Sequence, residues 1–231
     1  MLQAIVFDFD GVLVDSEPLH FRAFADLAAE ALGLTLDYPL YLREYVGFDD
    51  RDVARHMLRA VGRAVDEGHV AELCAMKRAL LDALVAAGVP TIPGTLDIAR
   101  AAAAAGLPVA IASGATRRDI LGVLAPLACD GLFPTIVTAD DVTRSKPDPQ
   151  TYALAHRKLA DRHGELDPGR VLAVEDTAAG IAAARGAGLR TLGLATTLTP
   201  AELHGAEGVV PYLAGVTLET LHDWFNHESP R

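Results

Sequence analysis

The spacing of apolar residues divides the chain into a helical segment and a segment in which strands alternate with helices. The apolar run within residues 3–9 predicts a buried strand. After it, apolar positions recur at helical spacing, which predicts helices from Glu17 to about Leu32, over about 52–62 and over about 69–87. Residues 15–88 are therefore predicted to be wholly helical.

From Pro93 onward, short apolar runs alternate with helical periods. Strands are predicted at 108–112, 135–138, 171–174 and 190–194, and helices at 95–105, from about 116, at 150–163, at 178–186 and near 217–225. Strands that alternate with helices imply a parallel sheet with right-handed crossovers. The pattern therefore predicts an α/β fold with a doubly wound, Rossmann-like core.

The helical segment interrupts this core directly after the first strand. Turn-forming residues at 13–18 and 88–94 mark the expected hinges. The prediction is a catalytic core made of residues 1–14 and 92–231, and an inserted all-α cap domain made of residues 15–91.

Composition and charge narrow the classes of partner. The chain has 231 residues, and its 31 Asp and Glu against 20 Lys and Arg give a formal net charge of −11. An acidic chain is not expected to bind nucleic acid or an anionic membrane. No apolar run is long enough to cross a membrane, and we expect no leader because Met1 runs directly into the strand pattern. Two cysteines, Cys74 and Cys129, form no disulfide framework, so we expect a cytoplasmic protein.

The first strand ends in two acidic residues. Asp8 and Asp10 lie two residues apart, and Gly11 follows at once. Carboxylates at the end of a buried strand are unfavourable unless a metal, a cation or a reaction compensates them. On this segment alone, an amphipathic strand end with solvated acids remains an alternative.

Polar residues also follow the other predicted strands. Ser113 and Gly114 follow the second, Lys146 lies after the third, and Glu175 and Asp176 follow the fourth. Ligands of open α/β sheets bind beyond the carboxyl ends of the strands. Several carboxylates suit Mg²⁺, whereas a serine, a lysine and a helix N-terminus suit phosphate oxygens. The set therefore predicts a magnesium and phosphate site.

Each of these residues has an ordinary structural alternative. Ser113 alone is more often a helix N-cap, and Lys146 alone is more often a solvated lysine. The pair Glu175-Asp176 before a helix often only complements the helix dipole. All of them together, in this order and each at a strand end, favour the functional interpretation.

Four motifs extend this interpretation to a family. DFDGVLVDSEP, IASGA, KPDP and VEDTAAGIAAARGAG resemble, in order and spacing, the motifs of the haloacid dehalogenase superfamily. The resemblance covers essentially the whole chain, and it is closest to the branch that includes β-phosphoglucomutase and phosphoglycolate phosphatase. It implies a Mg²⁺-dependent phosphatase that hydrolyses a small phosphorylated metabolite, with a sugar phosphate as the expected substrate. We expect a monomer or a weak homodimer.

The resemblance assigns roles to the two acids of the first motif. Asp8 matches the nucleophile that forms an aspartyl phosphate. Asp10 matches the general acid that protonates the leaving oxygen and then acts as base on water. The dehalogenases of the family lack this second acid, because a halide leaves without a proton. Asp10 therefore favours phosphoryl transfer.

The other motifs supply the phosphate and metal contacts. By resemblance, Ser113 holds a phosphoryl oxygen, and Gly11 and Gly114 are further substrate-binding positions. Lys146 neutralises Asp8 and the phosphoryl group. The expected magnesium ligands are Asp8, Asp10 through its backbone carbonyl, Glu175 as a ligand or as support for one, and Asp176.

Two residues of the helical segment are candidate substrate contacts. Lys77 lies on the apolar stripe of its helix, where a lysine breaks the binary pattern. Either its ammonium group reaches water past the core, or it points into the cleft. β-Phosphoglucomutase carries a lysine at the matching place, and His20 matches a cap-hinge histidine. The alternative for His20 is an ordinary surface residue.

The cap loop VGFDDRD, residues 46–52, departs from the mutase pattern. Where the mutase has an arginine for the second phosphate, the ungapped alignment gives Asp50. The adjacent Arg51 is a further candidate substrate contact, which could take the place of that arginine only if the loop shifts. Three acids in this loop would repel a distal phosphate. This departure favours hydrolysis of a monophosphate over mutase activity.

Two other functions remain as alternatives. One is a phosphosugar isomerase like β-phosphoglucomutase. The other is a non-catalytic phosphoacceptor module similar to a receiver domain, which also combines an acidic pocket with a phosphorylated aspartate. Asp10 argues against the second, because it would discharge the acyl phosphate.

Overall fold

The computed structural model describes residues 1–45, 48, 50–129 and 131–227. Of the cap loop 46–52, residues Val46, Gly47 and Asp49 lie outside the described residues. The chain forms two compact units, one made of Met1–Asp15 with Pro90–Arg231 and the other of Ser16–Val89. The sequence-based boundaries, after residues 14 and 91, differ from these by one and two residues.

Within the described residues, the larger unit contains one six-stranded sheet. Its strands are β1 (Ala4–Phe7), β2 (Val109–Ala112), β3 (Thr135–Val137), β4 (Val171–Glu175), β5 (Arg190–Leu194) and β6 (Gly208–Val210). All neighbouring pairs are parallel, and their order is β3-β2-β1-β4-β5-β6. The strand order reverses between β1 and β4, where doubly wound sheets bind their ligands. The predicted fold class is confirmed.

Helices of the same unit are α5 (Thr95–Ala104), α6 (Arg117–Leu124), α7 (Gln150–His163), α8 (Ala178–Gly186) and α9 (Leu218–His227). Small side chains on one face of the central strands allow α7 and α8 to pack closely. Ala4, Ala110 and Ala173 are fully buried there, in one cluster with Tyr152 and Leu159 of α7. Tyr152 is among the largest completely buried side chains, and this packing places its hydroxyl near the carboxyl ends of the strands.

The smaller unit, Ser16–Val89, is helical as predicted. It contains α1 (Glu17–Leu27), α2 (Tyr38–Glu44), α3 (Asp50–Ala60) and α4 (Glu67–Ala87). The chain after α1 widens into a π-helical turn, Ala28–Leu32, and Gly33 ends it in the left-handed conformation with φ 64°. Apolar residues from all four helices form the core of the unit, among them Phe24, Tyr41, Met57 and Val70.

Two elements do not appear separately in the sequence pattern. Helix α2 has only seven residues, with Asp37 as its N-cap and Pro39 in its first turn, so its apolar period is too short to detect. Strand β6 is a three-residue edge strand that begins at a glycine. Strand β1 is shorter than the predicted 3–9, because the chain turns from Phe9 onward, where the Phe9 carbonyl accepts from the amide of Leu13.

The outer edge of the sheet is covered at β3. The carbonyl of Pro134 accepts a hydrogen bond of 2.7 Å from Arg162, and the carbonyl of Ile136 accepts one of 3.0 Å from Arg117. These two carbonyls lie on the side of β3 away from β2, because the carbonyl of Val137 faces β2 and bonds the amide of Ser113.

The carboxylate of Asp141 links the outer side of β3 to neighbouring side chains. Its Oδ2 accepts hydrogen bonds from the amide and hydroxyl of Thr138, both 2.9 Å, and from Arg117 at 3.0 Å, while Oδ1 pairs with Lys158 at 3.3 Å. Partial burial raises the pKa of Asp141, but the bonds from Thr138 and Lys158 outweigh it and lower the pKa to about 2. The carboxylate therefore stabilises the fold at neutral pH.

We expect Asp141→Ala to lower the free energy of unfolding by about 1–3 kcal/mol at neutral pH, because the buried Thr138 hydroxyl loses its acceptor. Since the pKa of the native carboxyl is depressed, its contribution is complete above about pH 4 and disappears as the pH falls through about 2. Urea unfolding at neutral and acid pH measures this. The exposed Asp161→Ala is the control, with a change within about 0.5 kcal/mol. Equal stability of the two variants would contradict the prediction.

Candidate active site

Strand register brings the predicted site residues to one edge of the sheet. Phe7 pairs with Ile111 of β2 and with Val174 of β4. Asp8 is therefore level with Glu175, and its amide donates to the carbonyl of Val174 at 3.0 Å. Ser113 and Asp176 follow one residue further along their strands. The parallel sheet thus gathers residues that are far apart in sequence.

The turn after β1 depends on Gly11. Its φ is 73°, and its amide donates to the carbonyl of Val14 at 2.8 Å. A Cβ at Gly11 would lie 2.0 Å from Asp176 Oδ2, so any side chain there would collide with that carboxylate. The half-buried Asp10 precedes it in the same turn. Gly11 therefore has a steric role besides its predicted place near the substrate.

The ammonium group of Lys146 lies between two carboxylates. Its Nζ is 2.9 Å from Asp8 Oδ1 and 2.6 Å from Glu175 Oε1. Burial lowers the pKa of Lys146, but the charges of Asp8 and Glu175 outweigh it and raise the pKa. Burial raises the pKa of Asp8, with Glu175 and Asp176 adding to the rise and Lys146 opposing it. The positive charge of Lys146 therefore stabilises the buried carboxylates of this site.

Hydrogen bonds fix both carboxylate oxygens of Glu175. Oε1 accepts from Lys146 and from the Tyr152 hydroxyl at 3.0 Å, and Oε2 accepts from the amides of Asp176 and Thr177 at 3.0 and 3.1 Å and from the Thr177 hydroxyl at 2.9 Å. Burial raises the pKa of Glu175, but Lys146 and Thr177 outweigh it and lower the pKa. Glu175 is completely buried and charged, and its orientation is set by these donors.

Three residues around Glu175 are absent from the sequence prediction as functional positions. Tyr152 and Thr177 donate to its oxygens, and a Cβ at Gly180 would lie 1.7 Å from its Oε1. Thr177 and Gly180 lie within the fourth motif, so their place after the Glu175-Asp176 pair was a usable signal. Nothing local marks Tyr152, because its contact arises from the packing of α7 on the sheet.

Asp176 carries an oxygen suited to a metal. Oδ1 is buried and has no hydrogen-bond partner among the described residues. One oxygen each from Asp8, Glu175 and Asp176 lie within 4.8 Å of one another. Burial first, and then the charge of Glu175, raises the pKa of Asp176 to about 7. An all-oxygen set with an unpartnered carboxylate oxygen fits a hard cation such as Mg²⁺.

Ser113 lies at the end of β2 and is 1% exposed. Its Oγ accepts a hydrogen bond of 2.9 Å from the amide of Ala115. The N-cap of α6 is Thr116, whose side chain accepts from the amide of Asp119, so the N-cap alternative for Ser113 is wrong. The exposed Gly114 follows Ser113 and has open space where a side chain would be.

In the smaller unit, Lys77 is 1% exposed, so its ammonium group does not lie in water. Nζ is 2.7 Å from Asp50 Oδ1, 3.2 Å from His20 Nδ1 and 4.7 Å from the centre of the Phe24 ring. The sequence prediction groups Lys77 with His20, and the structure brings them together. Their predicted contact with substrate stays a prediction.

Arg51 has a different neighbour. Its side chain is half-exposed and forms an ion pair with Glu67 at the start of α4. The adjacent Asp50 is the residue that pairs with Lys77. The structure therefore separates Arg51 from the Lys77 cluster, and its predicted substrate contact also stays a prediction.

A buried lysine lies among strand-end carboxylates on a doubly wound sheet, and a helical unit is inserted after β1, an arrangement that suits phosphoryl transfer. The family model of the haloacid dehalogenase-like hydrolases matches residues 2–188. The chain belongs to this family. The predicted resemblance and the predicted enzyme class are confirmed.

Similar proteins span most of the chain. The plasmid protein CbbY of Cupriavidus necator is 34% identical over 223 residues, 92% of this chain and 86% of that protein. Validoxylamine A 7'-phosphate phosphatase of Streptomyces hygroscopicus subsp. limoneus is 30% identical over 198 residues, 85% and 87% of the two chains. A mutant CbbY of Rhodobacter sphaeroides in complex with xylulose-(1,5)bisphosphate has a TM-score of 0.78 and 28% identity over 96% and 99%.

No helix among the described residues combines the length and the apolar composition that a membrane span requires.

We expect Asp176→Asn to stabilise the metal-free protein at about pH 8. The pKa of Asp176 is raised to about 7, so stability from its neutral form is complete below about pH 4 and is lost as the pH rises through about 7. Asparagine stays neutral and avoids this loss. Thermal unfolding in chelator should show the variant at least about 2 °C above wild type at pH 8, with a smaller difference at pH 5. A difference that does not change with pH would contradict the prediction.

Proposed function

We propose that this protein is a Mg²⁺-dependent phosphatase that hydrolyses a small phosphomonoester through an aspartyl phosphate on Asp8. The observation that carries the proposal is the placement of Asp8. Its carboxylate lies 2.9 Å from the Lys146 ammonium, inside a buried group with Glu175 and Asp176. Such a site brings one carboxylate and a phosphate together while offsetting the charge of both.

In the first step, an Asp8 oxygen attacks phosphorus and the bond to the leaving alkoxide breaks. Lys146 stays beside Asp8 and offsets the charge that builds up as two anions approach. Ser113 and the exposed turn at Gly114 hold the phosphoryl oxygens. Asp10 donates its proton to the leaving oxygen, so the departing group is a neutral alcohol.

In the second step, the aspartyl phosphate is hydrolysed. Asp10, now ionised, takes a proton from water, which attacks phosphorus and releases Asp8 and inorganic phosphate. The same residue thus serves as acid and then as base. This second role separates the proposal from a phosphoacceptor module, in which the acyl phosphate would persist.

Mg²⁺ would be held by Asp8, Asp176 and the backbone carbonyl of Asp10. The unpartnered Oδ1 of Asp176 supports this assignment. Glu175 is better suited to supporting the ligands than to coordinating directly, because its two oxygens already accept five hydrogen bonds. Bound Mg²⁺ supplies charge neutralisation and orientation of the phosphoryl group.

Sugar phosphates are the substrate class that we propose. One relative is named validoxylamine A 7'-phosphate phosphatase, another is named phosphorylated carbohydrates phosphatase, and the mutant CbbY structure is a complex with xylulose-(1,5)bisphosphate. The three acids of the loop 46–52 would repel a second phosphate, which favours a monophosphate. We therefore place hydrolysis of a sugar monophosphate before mutase activity.

We expect the wild-type protein to release phosphate from some members of a panel of small phosphomonoesters in the presence of Mg²⁺. Asp8→Asn should abolish release, because an amide cannot attack phosphorus, whereas the exposed Asp161→Asn should retain it. Phosphate release and the exchange between hexose phosphate isomers are measured together. If isomer exchange is faster than phosphate release, the protein is a mutase and the proposal is wrong. If no compound releases phosphate, the phosphatase proposal is refuted.

We expect Asp10→Asn to separate the two steps. With p-nitrophenyl phosphate, whose leaving group departs without a proton, the first step should survive and the second should slow by roughly 100-fold or more. Rapid-quench kinetics should then show a burst of about one nitrophenolate per protein and a phosphorylated protein. With an alkyl phosphate the burst should be absent. Steady turnover by Asp10→Asn at the wild-type rate would contradict the assigned role.

A further inference from the structure

The two carboxylate oxygens of Glu175 bind different neighbours. Oε1 accepts from the Lys146 ammonium at 2.6 Å and from the Tyr152 hydroxyl at 3.0 Å. Oε2 accepts instead from the backbone amides of Asp176 and Thr177. We infer that Tyr152 is a positioning residue for Lys146, and that it supports the phosphoryl-transfer step without supporting the metal. This inference rests on the proposed function.

Tyr152 contacts Lys146 in two ways. Its hydroxyl shares Glu175 Oε1 with the ammonium group, and the ammonium lies over its ring, with Nζ 4.9 Å from the ring centre. Tyr152 lies in the first turn of α7 and Lys146 lies just before this helix, so the start of α7 brings the two side chains together. An ammonium over the face of an aromatic ring is attracted to it, more strongly where water is excluded.

Packing alone does not account for the hydroxyl of Tyr152. The ring is completely buried in the cluster of strand alanines and Leu159, where a phenylalanine would fill the same space. A buried hydroxyl costs free energy unless it is hydrogen-bonded. Here its partner is the same Glu175 oxygen that binds Lys146, so the hydroxyl connects the core to the proposed catalytic lysine.

The second donor on Glu175 Oε1 limits how strongly this carboxylate attracts Lys146. Without the Tyr152 hydroxyl, Lys146 would be the one donor to Oε1 among the described residues. The ammonium would then move toward Glu175 and away from Asp8, which it contacts at 2.9 Å. Since Lys146 offsets the charge that builds up at Asp8 during phosphoryl transfer, this displacement would slow the first step.

The test applies two measurements to the full-length variant Tyr152→Phe, which keeps the ring and removes the hydroxyl. Single-turnover release of nitrophenolate from p-nitrophenyl phosphate at saturating Mg²⁺ measures the phosphorylation of Asp8. We expect this rate to fall by about 10-fold or more, as displacement of a charged group at the reacting centre does. Titration calorimetry without substrate measures Mg²⁺ binding, which should equal that of wild type.

Tyr212→Phe is the matched control, because it makes the same chemical change at an exposed tyrosine of the same unit. It should alter neither measurement. Asp176→Asn should weaken Mg²⁺ binding, so it shows how the calorimetry responds to a disturbed metal site. A cooperative thermal transition of Tyr152→Phe checks that the variant is folded.

The outcomes separate this inference from the proposed function. If wild type releases no nitrophenolate, or if Asp176→Asn binds Mg²⁺ as tightly as wild type, the proposed function is wrong and the inference falls with it. If wild type is active and Tyr152→Phe keeps its rate, only the role of Tyr152 is refuted. Loss of Mg²⁺ binding or of the cooperative transition in Tyr152→Phe would show that the hydroxyl supports the whole site or the fold, and would also refute it.

Discussion

A single buried ammonium group is the interaction on which the site depends. Lys146 contacts Asp8 and Glu175 at 2.9 and 2.6 Å, and Asp176 lies in the same acidic group. Burial is the main cause that raises the pKa of Asp8 and Asp176, and the repulsion among three carboxylates that one lysine only partly offsets adds to it. The buried negative charge therefore destabilises the fold at the carboxyl ends of the strands, and a divalent cation would offset this charge. The buried carboxylates lower the stability of the folded state but serve the reaction, as is common at active sites.

The surrounding structure serves to hold this group in place. Alanines on the central strands leave room for Tyr152 beneath the sheet, and Tyr152 reaches Glu175 with its hydroxyl. Glycine at position 11 lets the turn after β1 approach Asp176. The site thus depends on small residues as well as on the acids, because a Cβ at Gly11 would collide with Asp176 Oδ2 and larger residues in place of the alanines would leave less room for Tyr152.

The sequence alone predicts the residues that carry a local signal. Asp8, Ser113 and Glu175 each end an apolar run before a turn, so their common location at one sheet edge follows from the parallel topology. The contact of Tyr152 with Glu175 could not be predicted this way, because it arises from helix packing between distant segments. The pairing of Lys77 with Asp50, 27 residues apart on two helices, is of the same kind. The sequence does not predict strand β6, because three residues are too few to show an alternating pattern of apolar and polar positions.

The edge strand β3 has a consequence for how copies of this protein can associate. An open edge offers its carbonyls as acceptors to any extended chain, which leads to strand addition and aggregation. At β3, guanidinium groups of Arg117 and Arg162 already occupy the outward carbonyls of Ile136 and Pro134. A second copy would have to displace both arginine contacts, of which that of Arg117 is half-buried and that of Arg162 is exposed, before its own strand could join. Continuous sheets across two molecules are therefore disfavoured at this edge of the sheet.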